Sequence, residues 1–196
     1  MRAACAIVLC HLEGLACMEV QRVTERGQLT YPYIPGQLAL RELPLMLAAW
    51  ERLRRECRAA KGAVLLVDGA GVAHPHSCGL ACAFGEAAGV RTIGVAKGYL
   101  CGRYAVPPEP VLEPELPRGR TATEAPLWER GSGEVIGSVL RPGRSARRLL
   151  FVSPGWPLTM PVSTAAAAVR AALLAHSAPE PLRRAHLAAR EALGSL

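Results

Sequence analysis

Residues 3–10 form an unbroken apolar run containing Ile7 and Val8, which predicts a buried strand. Turn residues His11 to Gly14 follow, and residues 15–23 then alternate loosely before ending in charge. The two runs predict an antiparallel hairpin, with residues 24–29 as a polar connection. Next comes Tyr31-Pro-Tyr-Ile-Pro-Gly36. Pro32 and Pro35 fix φ and lack backbone donors, so Tyr33 and Ile34 are expected on a stiff, exposed bend that Gly36 releases. Counting from Glu42, apolar residues fall at Leu45, Met46, Ala49 and Leu53, and this 3.6-residue period predicts a helix over 42–58. Pro44 would lie in its first turn. The outer face carries Glu51, Arg52, Arg54, Arg55 and Arg58.

A five-residue apolar strand is expected over 63–67, a small-residue helix over 80–88 and a second buried strand over 91–96. Asp68-Gly69 closes the first of these strands and Lys97-Gly98 the second. Strand, helix, strand implies parallel pairing through a crossover, and hence an α/β fold. Residues 102–133 hold six prolines and little periodicity, which predicts a long surface loop or insertion. Further strands are expected over 134–140 and 148–152, and helices over 161–176 and 181–193. No internal repeat is present. A single domain over 1–196 is expected, as 196 residues can bury a sizeable core.

Composition changes this picture little. A formal charge of +7 favours a polyanionic partner, or a solvated arginine-rich surface. Seven cysteines without metal-ligand spacing point to reduced, mostly buried thiols and a cytoplasmic setting. No apolar run is long enough to span a membrane.

In an open α/β sheet, ligands sit beyond the carboxyl ends of the strands. Asp68 and Lys97 stand there, and Glu42 can reach the same edge from its helix. Two carboxylates, a lysine and a histidine are suitable parts for a Mg²⁺ phosphodiesterase, because Mg²⁺ needs only one or two carboxylates beside waters and substrate phosphate. Each part also has a plainer explanation. Asp-Gly is a common turn pair, His74 and His76 lie in a Gly/Pro loop where surface histidines are usual, and Glu42 could simply complement a helix dipole.

Taken together, Tyr31-Pro-Tyr-Ile-Pro-Gly36, Arg41-Glu42, Leu66-Val-Asp-Gly-Ala-Gly-Val-Ala-His-Pro75, Thr92-Ile-Gly-Val-Ala-Lys97, Val152-Ser-Pro-Gly155 and Pro179-Glu-Pro-Leu-Arg-Arg-Ala-His186 resemble the endonuclease V (deoxyinosine 3′ endonuclease) family. The resemblance implies a ribonuclease H-like mixed sheet flanked by helices. It also implies Mg²⁺-dependent cleavage, with Mn²⁺ as an alternative ion, of the second phosphodiester bond 3′ to hypoxanthine in DNA or RNA, leaving a 5′-phosphate. By resemblance, Glu42 and Asp68 are metal-binding acids, and Lys97 and His186 are catalytic partners. Pro32, Tyr33, Ile34 and Pro35 correspond to a strand-separating wedge, and Gly69, His74 and Gly79 to the holder of the flipped base. Arg183, Arg184 and Lys97 are expected to contact phosphate, and the protein is expected to act as a monomer. Gly155-Trp156 departs from the family's Gly-His at that motif. The resemblance also implies one more strand, ahead of Met1, that carries a further aspartate. Two functions follow: an inosine-specific endonuclease, or a nucleic-acid-binding module of the same fold that cuts slowly or not at all.

Overall fold

A computed structural model of the chain describes residues 1–13, 16–32, 34, 36–110, 121–143, 149–174 and 176–194. The first apolar run forms β1 (Arg2–Glu13), which pairs antiparallel with β2 (Ala16–Gln28). The hairpin is longer than its hydrophobic pattern suggests. Residues 24–28, expected as a connection, continue β2 because they pair with the start of β1, Arg2 facing Gln28 and Ala6 facing Thr24. Pairing partners, rather than apolar content, extend this strand.

The first helix, α1 (Leu38–Glu56), begins four residues ahead of Glu42, so Pro44 lies inside it and not in its first turn. A proline there removes the hydrogen bond to the carbonyl four residues back. That carbonyl belongs to Leu40, and both Leu40 and Pro44 face solvent, where water can take the place of the lost donor. The opposite face of α1 buries Ala49, Trp50 and Leu53 against Leu80 and Phe84 of α2 (Leu80–Ala88) and Val67 of β3 (Val64–Val67). The outer charges pair along the helix, Arg52 with Glu56 and Arg54 with Glu51.

β3 pairs in parallel with β4 (Arg91–Ala96), Val64 facing Arg91 and Val67 facing Gly94. Alternation along β4 serves two cores. Ile93 and Val95 pack with Val152, Val169 and Leu173, while Thr92 turns the other way and its hydroxyl donates to the Ala81 carbonyl on α2. Beyond β4 the sheet continues with β8 (Leu150–Trp156), β7 (Val135–Arg141), β6 (Thr123–Trp128) and the short β5 (Arg103–Tyr104), giving the order β3-β4-β8-β7-β6-β5. Helix α3 (Val162–Ala172) covers the face opposite α2, and α4 (Glu180–Gly194) packs against the hairpin. The result is an α/β fold, a mixed sheet flanked by helices.

Several expectations need correction. The proline-rich stretch 102–133 is not one loop, since it contributes β5 and β6. Pro126 lies in β6 at a position that β5, which pairs only with Leu127 and Trp128, does not cover, so its missing donor is not needed on that side. Residues 111–120 lie outside the described residues. β8 runs four residues past Val152, accommodating Pro154 and Gly155 through a bulge opposite Thr92 and Ile93. α3 stops at Ala172, because Leu173 leaves the helical conformation to enter the core. The thiols are not mostly buried either. Cys17 and Cys82 are buried, Cys78 is exposed and the other four are half-buried. Burial still pushes Cys5 and Cys10 up to about 12, and Cys82 up to about 11. Among the described residues no helix is long and apolar enough to cross a membrane.

One buried charge stands out at the start of α4. Glu180 is only 6% exposed, and it accepts hydrogen bonds from Arg183 at both oxygens (2.7 and 2.8 Å) and from Arg184 (2.8 Å). Arg183's donation is the main reason its carboxyl is held down to about 2, against the opposing effect of burial. A carboxyl lowered on folding stabilises the protein above its ordinary value of 4.5, and that contribution fades as pH falls toward 2. Glu180→Gln is therefore expected to lower the unfolding free energy by about 1–3 kcal/mol at neutral pH. The gap to the parent should narrow steadily below pH ~4.5. Urea denaturation of both proteins across that range measures it, and a pH-independent gap would show that the charge is not what matters.

Candidate active site

The parallel pairing of β3 with β4 places the residues that follow them side by side. Asp68 leaves the end of β3 and Lys97 the end of β4, and the Lys97 ammonium donates to Asp68 Oδ2. Both side chains are about half exposed. Glu42, in the second turn of α1, is half-buried. Burial raises its carboxyl above the ordinary range, Arg41 beside it opposes the rise, and the Asp68 charge adds to it. Glu42 and Asp68 are thus electrostatic neighbours. His186, exposed on α4, lines the same cleft as both acids. The structure brings Lys97 against Asp68 with Glu42 nearby, and His186 lines the cleft that both acids line.

In the loop from Asp68 to Gly79, close backbone contacts at Gly71 and Gly79 leave no room for a side chain at those two positions. A Cβ on Gly71 would lie 1.9 Å from the Pro154 carbonyl oxygen, and one on Gly79 would lie 2.3 Å from that of Ala70. The Gly71 amide donates to Ser153 Oγ (3.0 Å) and the Val72 amide to the Pro154 carbonyl (2.8 Å). Gly69 and Gly79 are buried, and Gly79 caps α2.

His74 is 8% exposed, and its Nδ1 accepts from the His76 amide (3.2 Å). Burial, then His76, lowers its pKa, while a hydrogen bond with the Gly36 backbone opposes that. His74 thus ties this loop to the bend that ends at Gly36, whose φ is +80°. On that bend Pro32 and Ile34 are exposed, and the Tyr31 hydroxyl donates to Gln37 Oε1 (2.9 Å). Tyr33 and Pro35 lie outside the described residues.

The three cations expected at phosphate are engaged within the protein, Lys97 by Asp68 and Arg183 and Arg184 by Glu180. Glu180 escapes sequence reasoning, because an acid in a first helical turn looks like an ordinary dipole partner. Its signal was the pair of arginines at i+3 and i+4.

Among the described residues no group of three or more His, Cys, Asp or Glu side chains is placed to hold a metal ion. The donor set is two neighbouring carboxylates, which suits one Mg²⁺ that keeps waters and takes the rest of its ligands from phosphate. Thiolate or imidazole ligands of a softer metal are absent from this pair.

The family model for endonuclease V matches residues 1–187. Endonuclease V of Myxococcus xanthus is 40% identical over 179 residues, covering 88% of this chain and 68% of that protein. The crystal structure of human endonuclease V superposes with a TM-score of 0.76 at 30% identity, covering 97% of this chain and 78% of that one. The Ciona intestinalis endonuclease V, solved in complex with a 24mer DNA containing an inosine followed by a ribo-adenosine, shares the fold at TM-score 0.79 and 24% identity, with 98% and 80% covered. On the match of nearly the whole chain to the family model and the identity to its relatives, this protein belongs to the endonuclease V family and is a nuclease.

Proposed function

We propose that this chain recognises inosine in DNA or RNA and, with Mg²⁺, hydrolyses the second phosphodiester bond on its 3′ side. The observation that carries the reading is the convergence of Glu42, Asp68 and Lys97 where β3 and β4 end. Support for the base comes from the motifs that resemble the family and from the inosine-containing DNA bound by the Ciona neighbour.

Glu42 and Asp68 would hold the ion. When bound, Mg²⁺ supplies an activated water and charge stabilisation on the leaving oxygen. Lys97, already neutralising one oxygen of Asp68, orients that carboxylate and can turn its ammonium to a non-bridging phosphate oxygen. His186, across the cleft, can move a proton to or from the reacting oxygens. The loop from Asp68 to Gly79 offers backbone amides and carbonyls on a frame that glycine alone permits, which suits close approach to an extruded base. The bend at residues 31–36 is the wedge, and His74 fixes it relative to that loop.

A donor set of two carboxylates also favours a second reading, tight binding with slow cutting. The test is Mg²⁺-dependent nicking of a labelled duplex with one inosine, alongside fluorescence anisotropy for binding. Slow nicking confined to the inosine duplex is expected. Asp68→Asn should abolish it while shifting the dissociation constant by less than about threefold, since Asp68 would serve the scissile phosphate and not the base. Inosine-specific binding without any nicking would select the second reading, and equal nicking of plain duplex would overturn the first.

The wedge makes its own prediction. Tyr33→Ala should weaken binding to the inosine duplex by roughly 1–3 kcal/mol of lost stacking, and should weaken binding to undamaged duplex less. Equal losses in anisotropy titrations would remove Tyr33 from the wedge.

A further inference from the structure

The segment that follows β4 carries an aromatic side chain to the surface beside the site. Tyr99 stands two residues after Lys97, so their Cα atoms are no more than about 7 Å apart. Its ring packs on two others. The ring centroids of Tyr104 and Phe151 each lie 5.9 Å from that of Tyr99, and those two rings meet edge to face at 5.3 Å. Phe151 is buried and Tyr104 half-buried, yet Tyr99 is 43% exposed. The Tyr99 hydroxyl donates to the Gly102 carbonyl (2.9 Å) and accepts from Arg130 Nη2 (3.0 Å). Arg130 Nε donates to the same carbonyl (3.0 Å). Gly102 turns there at φ +97°, with the Trp128 carbonyl oxygen so close that a Cβ would lie 2.8 Å from it. The ring is thus fixed by its aromatic neighbours and, at its tip, by hydrogen bonds. What it offers a ligand is ring surface.

We propose that Tyr99 is a stacking platform for the base of the nucleotide immediately 3′ to the inosine. The inference rests on the nuclease reading above, which sets the register. Cleavage at the second phosphodiester bond leaves one nucleotide between the inosine and the cut. On the protein, Lys97 beside Asp68 marks the phosphate end of that span. Gly98 and Leu100 line a hollow with Ala70 and Ala73, which belong to the loop that suits an extruded base. Tyr99 is the side chain between those two ends, where the intervening nucleotide has to pass. Taking the inosine out of the stack deprives its 3′ neighbour of a stacking partner, and an aromatic ring supplies another. A ring held in place before binding loses little ordering entropy. Every base has a π-face, so the platform accepts any base and favours the larger purines. Tyr99 therefore positions the strand across Asp68 and Lys97 without adding a sequence requirement. A structural role alone explains the hydroxyl contacts, but not a ring left open on the rim of the site.

The test is binding of fluorescein-labelled single strands of DNA to the full chain without Mg²⁺, followed by fluorescence anisotropy. One strand carries inosine followed by adenine, a second carries inosine followed by an abasic sugar, and a third has adenine in place of the inosine. The protein is expected to bind the first about tenfold more tightly than the second. Tyr99→Ala should lose about tenfold on the first strand and less than about twofold on the second, which couples the ring to that base. Tyr99→Trp should keep the preference for the first strand. Retained affinity for the abasic strand shows that Tyr99→Ala is folded. An equal loss on both inosine strands would make Tyr99 a structural residue and overturn the proposal, and so would equal binding of those two strands by the parent protein. Failure of the nuclease reading has a different signature. The third strand would then bind as tightly as the first, and the register assigned to Tyr99 would fall with that reading.

Discussion

The parallel pairing of β3 with β4 is the constraint on which the site depends. Its register sets Val67 beside Gly94, β4 runs two residues further to Ala96, and just beyond the two strand ends the Lys97 side chain meets that of Asp68. A parallel pair needs a crossover, and α2 supplies it while closing the core over Leu80 and Phe84. The crossover begins with the loop from Asp68 to Gly79, which must lie flat on the sheet to return in so few residues. Gly71 and Gly94 allow this, since a Cβ on Gly94 would lie 2.2 Å from the Gly71 nitrogen. Pairing, crossover and loop are therefore one device, and the acid, the lysine and the glycine frame arrive together.

α1 adds the second acid from outside the sheet. Its apolar face docks on α2, and that docking aims Glu42 toward Asp68. The electrostatics are uneven. Lys97 compensates Asp68, while burial and the nearby Asp68 charge push the Glu42 carboxyl up. A half-buried carboxylate beside another, with one cation engaged, is a place where a divalent ion gains the most. The same imbalance would be a plain cost in a protein that bound nothing there.

Much of this was legible in the chain. The spacing of Leu80 to Ala88 and the run Arg91 to Ala96 gave boundaries that match the structure, because both are bracketed by glycines that end elements cleanly. The edge holding Asp68 and Lys97 followed from strand order alone. What was not legible depended on partners distant in sequence. Residues 24–28 are strand only because β1 starts opposite them, and Pro126 sits in a strand only because β5 is two residues long. Nothing local marked Glu180 as buried, and the structure makes it a buried anion held by two arginines. Local pattern predicts elements well where the local chain decides, and less well where an edge or a charge waits for a distant neighbour.

The gap between β1 and β3 is the largest case of that kind. An apolar strand such as β1 is stable in water only if both its faces and both its edges are managed. Here β2 manages one edge, and α1 and α4 cover the faces. Among the described residues the other edge of β1 pairs with no strand, and neither does the outer edge of β3, where Asp68 begins the site. Two edges open to one apolar space cannot be explained by either strand alone. Charged or bulged edges would have blunted each of them, yet Ala3 to Leu9 and Val64 to Val67 carry no charge at all.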